Sequence, residues 1–222
     1  MKSLHQTRKS SGLLSEKLLE DLHLNCEDFE CDWSDNPPQC RTPKWSIQLA
    51  GLQEVRWPNS GETSINNTTF FWSGRQDGLR KEGVALALPS NLISACVAWA
   101  PVSECLLFAR FKHSLGHVSV VICYAPTNCT QTAIKEQFYV YLEAAFSRCG
   151  KNDLKIVLAD FNAETGTLRH PGDWGTGTTN ENLDLFLSFC RGRRLSIAGS
   201  WFRRRHTPLL LDLWRPSHQE GG

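Results

Sequence analysis

The chain has 222 residues, 41% apolar and 21% charged, which suits one globular domain with a substantial core and excludes a fibrous or wholly disordered class. A formal net charge of +1 does not mark a nucleic-acid binder, so any such role must rest on local charge. No apolar window reaches the length of a membrane span, and the first residues lack the apolar run of a secretory signal, so the expectation is nucleus or cytoplasm with no membrane partner.

Along the chain, residues 13–24 place Leu13, Leu14, Leu18, Leu19 and Leu22 at helical spacing behind serines able to cap them. Turn formers then crowd 32–38, and residues 1–44 read as a poorly integrated amino-terminal segment. His23, Cys26, Cys31 and Cys40 lack the paired spacing of a zinc knuckle. The nine cysteines form an odd set without a compact repeat, and Cys96, Cys105 and Cys123 read as small buried hydrophobes in a reducing compartment.

A first core strand is predicted over 45–52, leaving Gln53 and Glu54 where the chain exits the sheet. Residues 83–88 read as a buried strand, and 106–111 as a strand pairing with 118–124 through a turn around 114–116. Tyr124-Ala125-Pro126-Thr127 closes that second strand. A helix follows over 131–149 with Ala133, Phe138, Leu142, Ala145 and Phe146 on one side and Gly150 near its end, and a further helix is predicted over 182–191 on Leu183, Phe186, Leu187 and Cys190. Sheets covered by helices are the expected outcome, without internal repeats or a second domain.

Between those helices, Lys155-Ile156-Val157-Leu158-Ala159 is a short apolar run that delivers Asp160 and Asn162 at its end. Period-two geometry sends both side chains to one side, and the polar loop through Gly166 suits a site at the carboxyl end of a strand. On local sequence alone the pair equally suits a strand cap that begins a turn. Together with Glu54 and Tyr124, three strand ends supply hard oxygen and hydrogen-bonding groups, a set that suits Mg2+ or Mn2+ acting on a phosphodiester. Residues 191–205 carry Arg191, Arg193, Arg194, Arg203, Arg204 and Arg205 without an acid, which suits an ordinary solvated basic surface or, with Arg203, Arg204 and Arg205 as candidate phosphate-binding residues, contact with DNA or another nucleic acid. Trp57, Trp72, Trp201 and Phe202 suit either base stacking or a core.

Leu52-Gln53-Glu54-Val55-Arg56-Trp57, Tyr124-Ala125-Pro126-Thr127 and Ala159-Asp160-Phe161-Asn162-Ala163-Glu164-Thr165-Gly166 resemble the ordered motifs of the endonuclease/exonuclease/phosphatase superfamily. The nearest texture is that of non-LTR retrotransposon endonuclease domains and craniofacial development protein 2-like proteins, running from about residue 49 to 205 through Phe71-Trp72-Ser73-Gly74 and Trp174-Gly175-Thr176-Gly177. The resemblance implies an α/β fold, a four-layer α/β/β/α sandwich incomplete at both ends, with a domain over 45–205 and a divergent tail over 206–222. It also implies a magnesium-dependent hydrolase acting on nucleic acid: Glu54 as metal ligand, Tyr124 contacting the phosphate, Asp160 orienting the attacking water and Asn162 holding the scissile phosphate.

Two departures weaken the catalytic expectation. The stretch before Leu49 lacks the family's metal-site Asn, and where the family has an Asp-His pair this chain has Asp212 followed by Leu213. His206 and His218 do not stand in for it. The expectation is therefore a vestigial or inactive phosphodiesterase/endonuclease-like domain, with a noncatalytic phosphate- or nucleic-acid-binding remnant as the alternative.

Overall fold

The structure, a computed structural model, describes residues 49–163 and 180–197, together with the backbone of 31–32 and 39–40. The chain divides into two compact units, residues 1–162 and residues 163–222.

In the first unit, β1 (Cys31–Asp32) and β2 (Gln39–Cys40) form a short antiparallel ladder. The remaining strands are β3 (Ala50–Gln53), β4 (Ser60–Ile65), β5 (Thr68–Ser73), β6 (Val84–Pro89), β7 (Cys96–Ser103), β8 (Leu106–His113), β9 (Gly116–Tyr124) and β10 (Leu154–Asp160), with a 3-10 turn over Ser90–Ala95. They build two four-stranded sheets: an antiparallel one ordered β3-β6-β5-β4, and a mixed one ordered β10-β9-β8-β7 in which only β10 and β9 run parallel. Parallel neighbours need a crossover. Here it is α1 (Thr132–Ser147), which lies on the mixed sheet through contacts with β7, β8 and β9 and buries Phe138, Leu142, Ala145 and Phe146.

The core forms where the sheets meet. Leu107, Ala109 and Phe111 of β8, Val118, Val120 and Ile122 of β9 and Ile156 of β10 pack with Leu49, Phe71, Val84, Leu86 and Leu88. Side chains of the alternate parity on the antiparallel sheet form a second cluster of Ala50, Leu52, Phe70, Ala85 and Ala87, joined by Val55 and Trp57 beyond β3. Burial on both faces explains why β6, Val-Ala-Leu-Ala-Leu-Pro, is apolar at every position instead of alternating. The result is an incomplete α/β/β/α sandwich.

In the second unit, α2 (Asn182–Arg193) buries Leu183, Phe186, Phe189 and Cys190. It carries Asp184 in its first turn and Arg191 and Arg193 in its last, charges that match the helix dipole. Its end is a left-handed Arg194 with Leu195 N–H donating to the Cys190 carbonyl at 2.9 Å, a hydrogen-bonded stop built without glycine.

The predicted strands over 83–88, 106–111 and 118–124 and both later helices are present within a few residues, including the hairpin turn around 114–116. The strand predicted over 45–52 is described only from its second half and extends to Gln53. Strands β1, β2, β4, β5 and β7 were not predicted. Of the three cysteines expected as buried, Cys123 is fully so, whereas Cys96 and Cys105 are half-buried; partial burial still pushes the Cys105 thiol up to about 12. The helix predicted over 13–24, most of the segment 1–44, the tail 206–222 and the cluster around His23 and Cys26 lie outside the described residues.

Candidate functional site

Chain direction brings one set of sheet ends together. β3 and β10 both finish at the same mouth, and β9, parallel to β10, pairs Tyr124 with Asp160 at its last position. Along β9, Val118, Val120 and Ile122 face the other sheet, so Tyr124 continues that parity at the rim, as Asp160 does after Leu154, Ile156 and Leu158 on β10.

The two sheets approach closely just below. A Cβ on Gly51 would stand 2.7 Å from Leu158 Cβ and 3.0 Å from its Cδ1, so only glycine fits at this crossing. Gln53 reinforces it, its Nε2 donating to the Leu158 carbonyl at 3.5 Å. This contact sets the spacing between Glu54 and the residues on β9 and β10.

Across the mouth, Tyr124 OH donates to Glu54 Oε1 at 2.6 Å, joining the sheets through residues 70 positions apart in sequence. Burial, reinforced by this bond to a carboxylate, pushes the Tyr124 phenol up to about 12, while a hydrogen bond with Asn162 opposes the shift and the nearby Asp160 charge adds to it. Tyr124 thus touches or senses every other member of the candidate set. The second oxygen of Glu54, Oε2, receives Arg56 Nη2 at 3.1 Å.

Asn162 is held by its own backbone and by its neighbour on the adjacent strand. Its N–H donates to Asp160 Oδ1 at 2.8 Å, closing a turn of the type Asp favours, and its Nδ2 donates to the Ala125 carbonyl at 2.8 Å. Ala125 N–H in turn donates to the Asp160 carbonyl at 2.8 Å, which prolongs the parallel ladder by one step into the site. Glu54 at φ +54° and Asn162 at φ +48° both occupy the left-handed region, where a side chain other than Gly or Asn is strained. Glu54 keeps that conformation because Val55 N–H donates to the Gly83 carbonyl at 3.1 Å and the Val55 side chain is fully buried.

Both strand-end acids predicted from sequence therefore lie at one rim with Tyr124 and Asn162. Arg56 was not singled out. Its signal, a cation two residues from the acid, was present in the Leu52 to Trp57 motif; Glu54 and Arg56 lie beyond β3, both in left-handed backbone flanking Val55. Trp57 proves to be packing: it is buried and meets Phe70 and Trp72 edge-on, with ring centroids 6.0 and 5.1 Å apart. Trp72 directs its indole N–H to the Pro58 carbonyl at 3.2 Å. Arg203, Arg204, Arg205, Trp201 and Phe202 lie outside the described residues.

For a divalent cation the donor chemistry fits. Glu54 and Asp160 are exposed carboxylates, and Mg2+ is held by one or two carboxylates while keeping several waters. No group of three or more His, Cys, Asp or Glu converges among the described residues, so this would be a sparse site. Among the described residues no helix is long and apolar enough to cross a membrane.

Comparison with known proteins supplies an independent line. No family model matches the chain. It is 26% identical over 162 residues to craniofacial development protein 2 of Bos taurus, a match covering 72% of this chain and 27% of that protein. Craniofacial development protein 2 of Tragulus javanicus is likewise 26% identical over 162 residues, covering 72% of this chain and 28% of its own length. The match thus spans little more than a quarter of these relatives.

Proposed function

We propose, for a chain whose motifs resemble the endonuclease/exonuclease/phosphatase superfamily and that is 26% identical to craniofacial development protein 2, a magnesium-supported phosphodiester site of the endonuclease type that engages nucleic acid and turns it over slowly or not at all. The observation that carries this reading is the Tyr124–Glu54 bond across the two sheets, with Asp160 and Asn162 at the same rim. Glu54 would hold Mg2+, or Mn2+, with water completing the shell; the ion supplies charge stabilisation at a phosphoryl oxygen. Tyr124, its proton retained at neutral pH, would turn that one proton from Glu54 to a phosphate oxygen. Asp160 orients a water, and Asn162, fixed by Ala125, helps hold the phosphate in line.

The low-turnover reading rests on the place where the resemblance implies an Asp-His pair and this chain has Asp212 followed by Leu213. The 222 residues contain no Asp-His dipeptide, the pair that the family resemblance implies for water activation, and general-base catalysis is worth roughly 100- to 10,000-fold in rate. A second reading, a noncatalytic phosphate- or nucleic-acid-binding remnant, draws on a specific feature: each carboxylate oxygen of Glu54 already accepts from a donor of the chain itself.

Calorimetric titration with Mg2+ tests the site, and Glu54→Ala and Asp160→Ala are expected each to weaken binding. Unchanged affinity in both variants refutes the assignment. Supercoiled plasmid, abasic duplex DNA and a small phosphodiester, each with Mg2+ or Mn2+, test turnover; rapid metal-dependent cleavage lost in Asp160→Ala would refute the low-activity reading.

A further inference from the structure

The geometry around Glu54 points to a role for Arg56 that the phosphodiester reading does not contain, although it rests on that reading. We propose that Arg56 is a tethered counter-cation of Glu54: it competes with a divalent cation for Oε2 and is drawn off by a phosphodiester, so that nucleic acid and metal each strengthen the other's binding.

The segment is constructed for this pairing. Glu54 and Arg56 both take left-handed backbone, φ +54° and +55°, on either side of a fully buried Val55. Two backbone bonds lock it against the loop before β6, Val55 N–H to the Gly83 carbonyl at 3.1 Å and Arg56 N–H to the Glu82 carbonyl at 2.8 Å. Gly83 itself must be glycine: its φ is +98°, and a Cβ would lie 3.1 Å from Val55 Cγ2 and 3.2 Å from the Arg56 nitrogen. Strained backbone held this firmly turns two side chains, one acidic and one basic, toward each other at the rim.

The charge arrangement then restricts what can bind. Tyr124 donates to Oε1 at 2.6 Å and Arg56 to Oε2 at 3.1 Å; the phenol is neutral, whereas the guanidinium sets a full positive charge beside the carboxylate, so an incoming cation is repelled by Arg56 until that side chain swings away. The phenol is partly buried and anchored on β9, whereas Arg56 is 62% exposed and Glu54 47% exposed, which makes Arg56 the mobile partner. A guanidinium released from a carboxylate has a ready alternative in a phosphate, whose oxygens it meets with the same two-pronged geometry. Moving Arg56 from Glu54 to a bound phosphate places positive charge on the anion and frees Oε2 for the metal. Coupling of this kind is reciprocal by thermodynamic necessity.

An exposed ion pair is weak, about 0.2–1 kcal/mol, so the competition is worth roughly a one-and-a-half- to fivefold change in affinity. Arg56→Asn removes the charge while keeping a residue tolerant of left-handed φ, and Arg56→Lys retains the charge as a second variant. Calorimetric titration of the full chain with MgCl2 would be run alone and with a phosphorothioate-linked oligothymidine that resists hydrolysis. Arg56→Asn should bind Mg2+ about one-and-a-half- to fivefold tighter than wild type, and Arg56→Lys should match wild type. The oligothymidine should tighten Mg2+ binding in wild type and do so less in Arg56→Asn.

Equal or weaker Mg2+ binding by Arg56→Asn, or equal tightening by the oligothymidine in both proteins, overturns the proposal. If Glu54→Ala weakens Mg2+ binding while Arg56→Asn leaves it unchanged, the Arg56 role alone falls. If Glu54→Ala binds Mg2+ as wild type does, the metal assignment falls with it.

Discussion

Gly51→Ala tests how the two sheets set the site. The new Cβ would sit 2.7 Å from Leu158 Cβ, whereas carbon atoms in good contact stand about 3.5–4.0 Å apart, so the sheets must part locally by roughly 1 Å or the side chains must leave their rotamers. Overpacking of this kind costs about 1–3 kcal/mol, which for a chain of this size lowers Tm by roughly 2–12 °C. The displacement also reaches the rim three residues later. The 2.6 Å bond from Tyr124 to Glu54 does not survive an added ångström, since a separation near 3.6 Å is no longer a hydrogen bond. That bond is the second of the causes raising the Tyr124 phenol to about 12, after burial, so its loss should move the titration midpoint down toward the ordinary value near 10. Tyrosine ring-carbon NMR can follow this between pH 8 and 11.5, with Tyr124→Phe identifying the signal among the three tyrosines. The sign is definite: a group whose native pKa is raised contributes its stability below the unfolded pKa, near 10, and loses it as pH rises through the native value near 12. An unchanged Tyr124 midpoint together with an unchanged Tm in Gly51→Ala would refute the idea that this crossing spaces the site.

At the opposite end of the mixed sheet, Asp153 is nearly fully buried and accepts from Arg110 Nε and Nη2 at 2.7 and 3.0 Å, Ser119 Oγ at 2.7 Å and Gly150 N–H at 3.1 Å. Asp153→Ala takes the 2.7 Å acceptor from the buried Ser119 hydroxyl and leaves the Gly150 N–H and the Arg110 guanidinium without this carboxylate, a loss of about 2–4 kcal/mol readable by urea denaturation at pH 7. The bonds from Arg110 above all hold the Asp153 carboxyl well below the usual carboxylate range, so this stabilisation is complete above the unfolded pKa of about 3.9 and is lost as pH falls below it; an unaltered gap between variant and wild type at pH 3 would contradict this. Replacing Arg203, Arg204 and Arg205 with Gln should weaken nucleic-acid binding and flatten its dependence on salt, and equal salt slopes would remove these arginines from the functional account. Mapping of thiol alkylation by mass spectrometry should find exposed Cys129 labelled in the native protein before Cys105 and Cys123, whose thiols burial pushes upward; labelling of Cys123 at the Cys129 rate would show that the core opens readily.

What the sequence determined by itself is the set of elements whose burial leaves a local imprint. Both faces of β6 and β9 are buried, so they read as continuous apolar runs, and α1 buries Phe138, Leu142, Ala145 and Phe146 at helical spacing. Strand ends carrying an acid, a phenol or an amide were legible for the same reason, because a polar residue after such a run marks where the chain leaves the core. β5, Thr-Thr-Phe-Phe-Trp-Ser, is a central, mostly buried strand that was not predicted, and the edge strands carry no such imprint. β4 is Ser-Gly-Glu-Thr-Ser-Ile, alternately exposed, and β7 contains Pro101 and two register shifts; both are strands because a neighbour pairs with them, and their own composition argues for nothing in particular. The site's central contacts belong to tertiary structure in the same way. Tyr124 reaches Glu54 across 70 residues only because Gly51 lets two sheets close on each other, and Glu54 meets Arg56 only because buried Val55 and its bond to Gly83 hold two left-handed residues in place. Local sequence sets which groups stand at strand ends, while the distances between them are decided by how the sheets pack, an energy shared among residues far apart in the chain.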